Sequence, residues 1–192
     1  LSRAKPKRDE DAIRAFVALE IDAAARGRIA GAIERLKPQV AGVRWANPDN
    51  LHLTLRFLGA SRPNQVLRIT ELLEEQAPRC RSARLSLGPL GTFPQRGSPR
   101  VLWLGVPLPD DVLAMQKSLE SAARRAGFEA EQRAFRAHLT LGRFRERAPR
   151  PALPELELGE VLLDTVTLFR SQLHPKGAIY TKVASFPLGA PS

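Results

Sequence analysis

At 192 residues, with 43% hydrophobic and 26% charged side chains, the chain can bury one core, or two small lobes sharing one, without a disulfide or metal staple. A single cysteine excludes an internal disulfide and favours a reducing, cytoplasmic setting, and no segment approaches the roughly 20 apolar residues of a membrane span. The net charge of +10 suits a phosphate-bearing partner, and equally a set of solvated basic faces.

Residues 1–12 carry Arg3, Lys5, Lys7 and Arg8 and then Asp9, Glu10 and Asp11. They hold no apolar stretch fit for a signal peptide and read as a flexible, uncleaved basic lead-in. Residues 13–21 are apolar and β-branched, an opening strand, and 22–36 follow with helical spacing behind Asp22 as N-cap, ended by Lys37 and Pro38. Strands at 43–45 and 51–58 are joined across Asn47, Pro48, Asp49 and Asn50, and Gly59 closes the second. A helix over 63–76 sets Val66, Ile69, Leu72 and Leu73 on one face, and 83–93 alternate as a strand.

After a loop at 94–99, residues 100–106 read as a buried strand. A helix starting within 107–111 then aligns Val112, Met115, Leu119 and Ala122 as core and stops at Gly127. Strand character returns over 134–144, a proline-rich loop spans 145–154, and two strands at 159–173 and 178–188 flank the turn His174, Pro175, Lys176 and Gly177. The two halves of the chain rhyme imperfectly in element order.

Two of the three histidines open the same tetrapeptide, His52-Leu53-Thr54-Leu55 and His138-Leu139-Thr140-Leu141, one in each half. Alternate side chains of a strand share a face, so each copy offers an imidazole and a hydroxyl together while its leucines anchor the strand in a core. Halves packed about a two-fold axis would set the imidazoles on opposite sides of one bound group. In-line displacement at phosphorus needs that arrangement: one histidine takes a proton from the nucleophile and the other gives one to the leaving oxygen. Thr54 and Thr140 would donate to the non-bridging oxygens. The plainer reading makes both histidines satisfied, half-buried strand residues left by a duplication.

The paired motifs resemble those of the two-histidine phosphoesterase superfamily, defined by two His-x-Thr-x segments, and specifically its RNA 2',3'-cyclic phosphodiesterases, historically called 2'-5' RNA ligases. The resemblance also takes in residues 16–19, Trp45 through Pro48, Asn50, Phe57-Leu58-Gly59, residues 100–106, Ala137, Arg143, Ser171, Leu173, Gly177 and Tyr180. It implies an α+β fold of two pseudo-symmetric lobes, each an antiparallel sheet with outer helices, around a central cleft. Residues 13–192 would form this single domain, with interleaved lobes falling near 13–99 and 100–192.

The resemblance implies hydrolysis of an RNA terminal 2',3'-cyclic phosphate to a 2'-phosphomonoester, with reversible, ATP-independent 2'-5' joining in some members. His52 would be the proton donor and His138 the acceptor, with no metal, no cofactor and no obligate protein partner. Arg143 matches the family's arginine after the second motif, a candidate for phosphate charge, although its odd strand parity aims it away from the cleft unless Gly142 permits a bulge. The alternative is an exposed strand-end arginine.

Arg56 has the parity of His52 and Thr54, and a solvated charge fits it equally. Tyr180, Phe57 and Trp45 are candidates to stack on a base or to pack in the core. His174 reads as an exposed turn residue and Cys80 as inert. Other readings of the chain are a two-histidine enzyme for small cyclic nucleotide phosphates, a non-catalytic RNA-binding module, and a metal hydrolase. The last lacks a sequence cluster of ligand spacing.

Overall fold

Four leucines, one from each central strand, run side by side across an antiparallel sheet. Leu19, Leu53, Leu139 and Leu104 are successive register partners, and none is accessible to solvent. The computed structural model describes residues 11–145, 148–175 and 177–191. The lead-in expected at 1–12 lies outside them except for Asp11 and Ala12.

The strands are β1 (Ile13–Glu20), β2 (Val43–Trp45), β3 (His52–Ser61), β4 (Ala83–Ser86), β5 (Leu90–Phe93), β6 (Val101–Gly105), β7 (His138–Phe144), β8 (Glu160–Leu163), β9 (Thr165–Gln172) and β10 (Ile179–Pro187). The helices are α1 (Ala23–Leu36), α2 (Pro63–Gln76) and α3 (Asp110–Arg125). The main sheet runs β10-β9-β1-β3-β7-β6-β5, with β2 also on β7. Its two four-stranded halves meet where β3 and β7 pair at Leu53–Leu139. The result is an α+β fold of two pseudo-symmetric half-sheets.

The half-sheets do not follow the division at 99 and 100. β9 and β10 pair into the half that holds β1 and β3, while β2 and β5 pair into the half that holds β6 and β7.

All three helices feed the same core as the leucine face. Ile29, Ile33 and Leu36 of α1, Ile69 and Leu73 of α2, and Met115 and Leu119 of α3 join Ala15, Val17, Leu19, Leu53, Leu104 and Leu139 in one cluster. Asp22 caps α1, accepting from the Ala25 amide at 2.8 Å. In α3, Asp110 and Asp111 in the first turn and Arg124 and Arg125 in the last complement the helix dipole. Ala123 fills the buried position on α3 that helical spacing gives to Ala122.

Two expected strands are each divided. Residues 83–93 break at Leu87, Gly88 and Pro89, so that β4 leaves to pair with β8 in a separate two-stranded sheet while β5 joins the main one. Residues 159–173 break at Asp164 into β8 and β9. Alternation reports that a segment is extended, not which sheet it joins. Gly59, at φ +70, interrupts β3 without ending it, and β7 begins at His138 rather than 134.

Candidate active site

The antiparallel register centred on Leu53 and Leu139 sets the two motifs side by side. Continued one residue each way, it puts His52 beside Thr140 and Thr54 beside His138, all four on the face opposite the leucines. The imidazoles are then diagonal neighbours on adjacent strands, roughly 7–8 Å apart at their bases. A tetrahedral phosphate fits between groups so spaced.

Each imidazole is held by the same device. His52 Nδ1 lies 2.6 Å from the Asn50 carbonyl oxygen, and His138 Nδ1 lies 2.6 Å from the Arg136 carbonyl oxygen. A carbonyl only accepts, so Nδ1 carries the proton and donates it, and each Nε2 is left to take or give a proton. The turn Pro48–Asn50 that offers the first carbonyl is itself tied down. Asn50 Nδ2 donates to the Ala178 carbonyl at 2.9 Å and Arg26 Nη1 donates to the Asp49 carbonyl at 2.6 Å. Arg26 and the backbone of Asn50 and Arg136 escape sequence reasoning; the one available signal is that both carbonyls stand two residues before their histidine.

Burial pushes both imidazoles below the ordinary 6.5, because a buried ring resists charging. The bonds to the Asn50 and Arg136 carbonyls work against that shift, while the charges of Arg26 and His138 lower His52 further and that of Arg143 lowers His138.

A one-residue bulge follows each motif at the same place. Ala18 pairs with Thr54 and Val17 with Arg56, which leaves Leu55 unpaired; Trp103 pairs with Thr140 and Leu102 with Gly142, which leaves Leu141 unpaired. An extra residue reverses the in-and-out alternation beyond it. On β7 the bulge turns Gly142 to the core and Arg143 onto the face of His138, where Arg143 is exposed. A Cβ at Gly142 would meet Val43 Cγ1 at 2.4 Å, so the close approach of β2 requires glycine there.

On β3 the same bulge overturns the parity expected of Arg56. Its side chain is 7% exposed and turned to the core side, with Nε 2.6 Å from Glu120 Oε2 and Nη atoms donating to the carbonyls of Phe57 and Glu129. It is neither a solvated charge nor a cleft residue. Phe57 takes the face of His52 instead, 53% exposed.

Aromatic rings flank both histidines. Phe16 lies 4.7 Å and Tyr180 5.3 Å from His52 by ring centroids, and Phe16 also touches Phe57 and Phe169. Phe93 lies 5.1 Å and Trp103 6.4 Å from His138. Burial raises the Tyr180 hydroxyl, and the charges of Arg143 and Arg14 pull it back, so Tyr180 and Arg143 share one neighbourhood.

Trp45 does not belong to this group. It pairs with Gly142 on the core side and packs against the hydrophobic cluster. His174 sits exposed in its turn. Cys80 is buried, and burial lifts its thiol to about 11. Among the described residues, no three His, Cys, Asp or Glu are grouped to hold a metal ion, and no helix is long and apolar enough to cross a membrane.

A family model described as LigT like phosphoesterase matches residues 19–103 and 105–180. An RNA 2',3'-cyclic phosphodiesterase of Methanothermobacter thermautotrophicus is 33% identical over 183 residues, covering 92% of this chain and 99% of its own. A crystal structure of a Thermus thermophilus protein aligns with TM-score 0.79 at 29% identity, covering 93% of this chain and 99% of that one. The structure of E. coli LigT complexed with 3'-AMP aligns with TM-score 0.76 at 28% identity, covering 92% and 98%.

Proposed function

Since the chain belongs to the LigT-like phosphoesterase family, we propose that it opens the terminal 2',3'-cyclic phosphate of RNA by hydrolysis, leaving a 2'-phosphomonoester. The observation that carries this reading is the matched pair of Nδ1–carbonyl bonds, which leaves two Nε2 atoms available on one face of two joined strands.

Water attacks phosphorus in line with the bond to the 3'-oxygen. His138, neutral at Nε2, takes the proton from the water, and His52, protonated at Nε2, gives one to the departing 3'-oxygen. Thr54 and Thr140 donate to the non-bridging oxygens as charge develops, and Arg143 offsets the phosphate charge from the open end of β7. Burial keeps the free imidazoles largely neutral near pH 7, and a bound anion between them favours protonation of one. A 5'-hydroxyl in the place of water turns the same steps into 2'-5' joining without ATP.

The RNA partner fits the net charge of +10 and the aromatic surroundings of His52. His52→Ala and His138→Ala are each expected to lower hydrolysis of a cyclic-phosphate-ended oligonucleotide by at least about 100-fold while leaving its binding nearly unchanged. Wild-type rates in both variants would refute the acid and base assignment.

A further inference from the structure

The wall beside His138 is built as a stacking surface. Trp103 stands opposite Thr140 on β6 and shares the face of His138. Its other neighbour across the sheet is Gly91 on β5, where a Cβ would come within 2.2 Å of Trp103 Cζ2 and 2.4 Å of Cη2. The six-membered ring of the indole therefore lies against the Gly91 backbone, in space that a Cβ would fill.

Trp103 is nevertheless partly exposed. Its Nε1 is buried with no hydrogen-bond partner among the described residues, so the part of the indole that is exposed is ring carbon. Phe93 packs against the indole, its ring 5.0 Å away and inclined by 30°, and stands 5.1 Å from His138, so the two rings form one aromatic wall. Approximate symmetry repeats this pattern across the cleft: Phe93 pairs with Val101 on the outer strand of one half-sheet as Phe169 pairs with Phe16 in the other.

A terminal cyclic phosphate bridges two oxygens of one nucleoside, whose base can lie against the rings around His52. The second set stands on the side from which the nucleophile enters, where water needs no aromatic surface. We infer that the Trp103–Phe93 wall is a second nucleobase subsite, which takes the base of the nucleoside lying across the phosphate from the one beside His52. The ligand class is a dinucleoside phosphate. This rests on the reading of the cleft as a cyclic phosphodiesterase site and adds to it the residues that hold the further nucleoside.

The chain has two tryptophans, so Trp45→Phe leaves Trp103 as the sole indole reporter. Titration of that variant with adenylyl-(2'→5')-adenosine is expected to quench its fluorescence saturably, and adenosine 2'-phosphate to quench it little. Trp103→Ala, and Gly91→Ala, which displaces the indole without removing it, should each weaken the dinucleotide at least about 5-fold more than they reduce kcat/KM for a cyclic mononucleotide. Melting temperatures show whether each variant is folded.

No quenching by the dinucleotide, or equal losses on both ligands in both folded variants, would overturn the subsite. A wild-type protein that quenches with the dinucleotide but opens no cyclic phosphate would sink the enzymatic reading and leave the subsite standing.

Discussion

Phe57 and Arg143 are structural counterparts: each stands five residues beyond its motif histidine, and each is turned onto the cleft face by a one-residue bulge. Two copies of one backbone device thus deliver a ring on the His52 side and a charge on the His138 side. A face symmetric in its two imidazoles is therefore unsymmetric in the side chains that stand beside them.

Arg143→Ala should reduce kcat/KM at the pH optimum by about 10- to 100-fold. With His138 as the proposed base, it should also move the acid limb of the pH profile upward, since the Arg143 charge adds to burial in lowering His138 and its removal makes that imidazole easier to protonate. Arg143→Lys keeps the charge and loses the planar fork, so the limb should stay in place while the rate falls. An Arg143→Ala profile with an unmoved acid limb contradicts the proximity of this charge to His138.

Arg56 serves the fold rather than the reaction. Arg56→Leu removes the partner of Glu120 and the donors to the Phe57 and Glu129 carbonyls, at a cost of about 2–4 kcal/mol. Thermal unfolding should shift down by about 5–15 °C. A melting temperature within about 2 °C of wild type would show that the pair contributes little.

Stability should fall on the acid side of neutrality. Both motif imidazoles have folded values lowered from 6.5 by burial, so the unfolded chain takes up protons first as pH falls. Their contribution is fully present above the unfolded value and is lost as pH drops through the lowered folded ones. Melting temperature measured between roughly pH 7 and 5 should decline, and the double variant His52→Gln, His138→Gln should flatten the curve. Parallel curves for the two proteins would assign the decline to other groups.

The four residues of the paired motifs are legible in the sequence because strand alternation is local: once residues 52–55 and 138–141 are extended, the facing of each side chain follows. Beyond Leu55 and Leu141 it fails, because a bulge is set by the partner strand. On β7 a glycine marks the event at Gly142. On β3 the equivalent position is Arg56, and nothing in its identity reveals that its side chain turns inward to Glu120.

The division of residues 83–93 leaves a trace in Gly88 and Pro89, yet the partner of β4 lies about 75 residues away on β8, beyond the reach of periodicity. The bonds that fix the histidine tautomers use backbone carbonyls, and every residue has one. Only the folded segments that lead into β3 and β7 single out those of Asn50 and Arg136.

The interleaving of strands sets the order in which the molecule can be completed. During synthesis β1 finds β3 early, but its other edge stays bare until β9 emerges, nearly the whole chain later. The Phe16–Phe169 and Phe16–Tyr180 contacts beside His52 must wait for the same residues. The surroundings of the first histidine therefore close only once β9 and β10 have been made, and a translation product cut short before β9 would offer an open strand edge to its neighbours.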